Sequence, residues 1–183
     1  MSYEAALNKA WENAAKFNTG KVLSVKFLAD EYTINFATKT VYSLSCNIPA
    51  KEFVAILILH YFIKSSSGLP MISGEWKSFK ELSGVEGYAD AFRKRCIEPI
   101  IRKYGRNPKG ILLSVDRLKA VQAAQADAAV IVQAFEGVPV LIEVWAGDDE
   151  FGPEANMLFD KSIGAIFCTE DIVVLAGFVA AAL

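Results

Sequence analysis

Two apolar runs, Ala128–Phe135 and Val138–Trp145, flank the dipeptide Glu136-Gly137. Glycine supplies the positive φ of a tight turn, so the pattern predicts two antiparallel strands joined as a hairpin. Neither run alternates apolar with polar residues. A strand that is apolar at successive positions sends such side chains to both faces of its sheet, and both faces must then be covered. The rest of the chain therefore has to supply at least two layers.

The material for those layers is present. Residues 3 to 17 space Leu7, Ala10, Trp11, Ala14 and Phe17 as an amphipathic helix, and an N-terminal helix is expected over 1–18. Val25–Leu28, Glu31–Phe36 and Thr40–Leu44 read as a small antiparallel meander. Pro49 opens a helix to about Lys64, apolar on every side from Phe53 to Ile63, which belongs in the middle of a domain. Ile72–Leu82 reads as an irregular or extended surface stretch. Tyr88–Tyr104 is helical but split near Ile97-Glu98 by Pro99 and closed by Gly105, and Asn107-Pro108 starts another helix toward Val121. Ala155–Phe159 supplies one more strand, and Thr169 caps a C-terminal helix. These elements predict one α+β domain over residues 1–183, with an antiparallel sheet of about five strands packed on helix 49–64 and the C-terminal helix.

Composition narrows the classes. At 183 residues, 53% hydrophobic and 22% charged, the chain is that of a globular domain, able to bury roughly 70% of its unfolded surface. A net charge of −2 exerts no pull on polyanions. Arg93, Lys94, Arg95, Arg102, Lys103, Arg106 and Lys109, interleaved with Tyr88, Phe92 and Tyr104, then read as a solvated helix face, and no nucleic acid is expected. The longest apolar run, 172–183, falls short of the ~20 residues that cross a bilayer, so no membrane partner is expected. Cys46, Cys96 and Cys168 show neither disulfide nor cluster spacing, and the N-terminus has no signal-peptide pattern; both suit the cytoplasm.

Three groups of residues, taken together, resemble a known family. They are His60; Gly74–Leu82 with Tyr88–Phe92; and the tail from Trp145 to Asp171, with Gly147–Phe151, Asn156–Asp160 and Thr169–Asp171 its most specific parts. Over residues 25–175 the chain resembles an uncharacterised bacterial family, domain of unknown function 3786. The resemblance implies no established activity. Some relatives carry an upstream four-cysteine iron–sulfur segment, but this chain cannot bind a cluster through four cysteines of its own, which weakens an implied redox or corrinoid role. Gly152-Pro153 is another departure, since proline more often follows the phenylalanine directly in that family.

The candidate chemistry is carboxylate-rich. Asp148, Asp149 and Glu150 are hard donors for a divalent ion if Asp160 or Glu170 folds back beside them, or else a solvated turn. Glu143, between Ile142 and Val144 on a buried strand, must be paired, protonated or at the sheet rim. His60 is the only histidine and makes no triad; it is a core histidine, a ligand or an acid–base group. Trp76 and Trp145 line a pocket or fill the core. No motif names a cofactor or a metal site. The expected function is a cytoplasmic, non-catalytic ligand-binding or accessory module. Its small-molecule pocket is expected where Glu75, Trp76, Trp145 and the Asp148–Glu150 loop converge, with His60, Glu143 and Asp160 as further candidates. The rival is a small metal-assisted hydrolytic enzyme with Glu143 or His60 as base. A homo-oligomer through Ile172, Leu175, Phe178 and Val179 is a further expectation.

Overall fold

The computed structural model describes residues 3–20 and 22–183; the first two residues of the helix expected over 1–18 lie outside them. The class is α+β, and the strands form two antiparallel sheets. The chain divides into two compact units, residues 1–70 and 71–183.

In the first unit helix α1 (Tyr3–Ala14) precedes strands β1 (Leu23–Phe27), β2 (Asp30–Asn35), β3 (Thr40–Ser43) and β4 (Ile48–Pro49), then helix α2 (Glu52–Ser67). The sheet is a meander in the order β1-β2-β3-β4. α2 packs on α1, β1 and β3, with Leu57, Ile58 and Leu59 fully buried. Phe36 joins the layers, its ring 5.7 Å from Trp11 and 5.9 Å from Phe62. Pro49 does not open α2. It pairs with Tyr42 as an edge strand, a position that tolerates proline's missing N–H, and the helix starts three residues later.

The second unit holds β5 (Trp76–Ser78), α3 (Ala89–Phe92), α4 (Glu98–Tyr104), α5 (Ser114–Leu118), β6 (Val121–Ala123), β7 (Ala128–Phe135), β8 (Val138–Trp145), β9 (Glu154–Asp160), α6 (Ile163–Ile166) and α7 (Thr169–Ala182). Its sheet has the order β5-β9-β8-β7-β6. The expected hairpin is β7–β8, turning through Gly137 at φ 74°, and β8 is buried at seven of its eight positions. The meander and the hairpin thus belong to separate sheets. α7 packs on β7, and α4 on β8 and β9. A π-turn, Arg93–Ile97, joins α3 to α4 and widens the helix where the Pro99 ring would meet the carbonyl of Arg95.

The extended reading of Ile72–Leu82 holds at edge strand β5, fixed by its pairing with β9. Two further expectations are corrected. The helix after Pro108 is a 3₁₀ turn plus the short α5, stopped by Lys119 in the left-handed region at φ 50°, so Val121 lies in β6. Residue Cys168, not Thr169, occupies the N-cap of α7. Of the four residues named for a contact with a second copy, Ile172, Leu175 and Val179 are buried and Phe178 is half-buried.

Candidate functional site

Strand register decides where the expected site residues fall. Trp145 pairs with Glu154, whereas Trp76 pairs with Asp160 at the other end of β9. Six residues of strand, about 20 Å, separate the two positions. Glu75, Trp76 and Asp160 form one group, and Trp145, Asp148 and Glu150 another, so the expected common hollow does not form. Glu143 is 9% exposed on the face it shares with Trp145, between Ala129 and Asn156 of the neighbouring strands. His60 is half-buried on α2, in the first unit.

Asp160 is a structural acid. Its carboxylate accepts the N–H of Ser73 at 3.1 Å, of Gly74 at 2.7 Å and of Ser162 at 2.9 Å, plus the Ser73 hydroxyl. Burial pushes its pKa up, but hydrogen bonds from Ser162, Ser73 and Gly74 outweigh that and bring it down to about 2. Asp148 serves its own loop in the same way, accepting the N–H of Glu150 at 2.9 Å and of Phe151 at 2.7 Å, which lowers its pKa. Pro153 wedges that loop in place: a Cβ on Gly147 would lie 2.9 Å from Pro153 Cδ, and one on Gly105 2.6 Å from Pro153 Cβ. Among the described residues no three His, Cys, Asp or Glu side chains gather into a metal-binding group.

The cleft in the second unit lies elsewhere and was not read from the sequence. It encloses about 560 Å³, within the usual range for small-molecule sites, between β5, the β9–α6 turn and the first turn of α7. Lys77, Lys161, Glu81, Thr169 and Glu170 supply its polar groups. Antiparallel pairing of β5 with β9 brings Lys77 opposite Phe159, two residues from Lys161. Glu75 lies beyond the lining and pairs with both amines, at 2.7 Å from Lys77 Nζ and 2.9 Å from Lys161 Nζ. These lysine hydrogen bonds lower the Glu75 pKa. Ser78 and Glu81 form a capping box that fixes the turn after β5.

On the other wall the Thr169 hydroxyl donates to the Gly84 carbonyl at 3.1 Å, and the Tyr88 hydroxyl to Glu170 at 2.7 Å. Together they strap residues 83–88 to α7. Cys168 Sγ donates to Asp171 at 3.3 Å; burial, with the Asp171 charge behind it, pushes the thiol up to about 12. A protonated thiol is a poor nucleophile. The sequence signs of this cleft were two family-like segments, Gly74–Leu82 with Lys77 and Glu81, and the tail to Asp171 with Lys161, Thr169 and Glu170.

The second unit is therefore an α+β fold carrying a polar cleft of ligand size. The chain belongs to the family described as Domain of unknown function (DUF3786), whose model matches residues 8–182. No curated protein and no solved structure matches it. Among the described residues no helix is long and apolar enough to cross a membrane.

Proposed function

We propose that the protein is a cytoplasmic, non-catalytic ligand-binding or accessory module that takes a small molecule in the cleft beside α7. The observation that carries this is the cleft itself, a concavity of ligand size whose polar groups come from β5, the β9–α6 turn and α7. Its thiol is held protonated, and its hydroxyl and carboxylates already hold neighbouring groups, an arrangement suited to binding. The three cysteines are free, which fits a reducing compartment.

Gly164 gives the test. It lines the cleft, and a Cβ added there meets nothing within 4 Å. Gly164→Trp should fill the cleft and leave the fold intact. A small-molecule library screened by melting temperature should yield ligands that stabilise the natural chain by a few degrees and leave the Trp variant unmoved. An undiminished response in the filled variant removes the cleft from consideration.

A further inference from the structure

We infer, resting on the cleft as binding site, that its ligand is a small anion bearing a carboxylate or phosphate group, and that Glu75 is a built-in competitor for the same amines. Lys77 comes from β5 and Lys161 from the turn after β9, and both line the cleft. One carboxylate spans them, Glu75 Oε1 on Lys77 and Oε2 on Lys161, as an anionic ligand would. The three side chains are 30% to 62% exposed, so these ion pairs are weak and displaceable. Glu75 also follows Gly74, whose left-handed backbone turns the chain into β5. A ligand entering the cleft can take the amines while Glu75 swings into solvent.

The opposite wall has a mixed field: the first turn of the fourteen-residue α7 lines the cleft with the partial positive charge of a helix N-terminus, and the same turn holds Glu170 and Asp171. Glu81 and Glu170 limit how much charge enters. Glu81 is held by the Ser78 N–H and hydroxyl and its other oxygen lies 3.9 Å from Lys77 Nζ, and Glu170 accepts from the Tyr88 hydroxyl, yet both remain anionic walls that repel a polyanion. The ligand class is accordingly a compact anion of one or two charges.

The experiment is an NMR titration of the full chain with inorganic phosphate and, separately, with succinate, on the natural protein, Glu75→Gln and Lys161→Met. Resonances of Gly164 and Thr169 should shift. Glu75→Gln should tighten binding about three- to tenfold, and Lys161→Met should weaken it by at least as much. A response to phosphate alone or succinate alone names the ligand's acid group. Equal affinity in all three proteins overturns the inference. If a neutral compound shifts Gly164 and Thr169 while neither anion does, the cleft stands and the anion is refuted. Silence of both resonances to every compound refutes both.

Discussion

Asp160 accepts the backbone N–H of Gly74 at 2.7 Å, across 86 residues of sequence. That contact, with those from Ser73 and Ser162, fixes the turn from which β5 starts and the turn into which β9 runs. Glu75 follows one and Lys161 the other, so their ion pair is a consequence of the same grip. A buried carboxylate without direct chemistry thereby positions one wall of the cleft.

The sign of its pH dependence follows. A folded pKa of about 2 lies below the ordinary 3.8, so Asp160 contributes stability that is fully present above about pH 4. That contribution is lost as pH falls from 4 through 2. Its size is about 2 kcal/mol, from the depth of the shift on a side chain 2% exposed. Asp160→Asn replaces one acceptor oxygen with a donor among N–H groups. It should cost about 2–3 kcal/mol at pH 7 and flatten the acid limb of the stability curve, measured by urea unfolding from pH 2 to 7. An unchanged acid limb would show that another group sets it.

Gly105 ends α4 with an ordinary helical φ of −61°, and its lack of a side chain matters for space. On helix propensity alone Gly105→Ala should stabilise by up to about 1 kcal/mol. Here the new Cβ would sit 2.6 Å from both the Ile101 carbonyl and Pro153 Cβ, so we expect a loss of about 1–3 kcal/mol instead. Pro153→Gly removes one of the two obstacles. In a double-mutant cycle the alanine should cost at least about 1 kcal/mol less on that background. Additive costs would place the clash with Ile101 alone.

What was legible in the sequence is what is decided locally. The turn at Gly137, the stripe Ala10-Trp11-Ala14, the break caused by Pro99 and the apolar α2 each follow from residues a few positions apart. The meander strands were placed to within about two residues for the same reason. Pro49 misled because its φ suits both a helix start and an edge strand, and the tertiary pairing with Tyr42 chose. The site was not legible because it depends on register. Nothing near Trp76 says that it pairs with Asp160 and not with the Trp145 end, and that choice scatters the expected carboxylates and gathers Lys77 with Lys161. Gly105 looked like a conformational stop, while its true constraint, Pro153, lies far along the chain.

Cys168 is exposed as a residue, yet its thiol is held protonated by partial burial and by Asp171. At pH 8 iodoacetamide should modify exposed Cys46 well before Cys168, and buried Cys96 last. Asp171→Asn removes the neighbouring charge and should speed modification of Cys168 severalfold without altering Cys46. Peptide-resolved mass spectrometry reads all three rates. Equal rates at Cys46 and Cys168 would contradict the thiol's assigned environment.

Thr169 offers a way to loosen the mouth of the cleft without dismantling α7. Its hydroxyl holds the carbonyls of Ser83 and Gly84 at 3.4 and 3.1 Å, and the strap beyond them has positive-φ glycines, Gly84 and Gly87. Thr169→Val keeps the shape and deletes the donor, while Ile172, Leu175 and Val179 continue to anchor the helix. Global stability should fall by only about 0.5–1.5 kcal/mol. The local effect should be larger in kind: amide exchange over residues 83–88 should accelerate about tenfold, while the core amides of β7 and β8 follow the global change. Thr169→Ser retains the donor and should restore the natural exchange rates. If Val keeps the natural exchange rates and Ser accelerates them, the methyl group holds the strap, and the hydroxyl has no part in shaping the cleft.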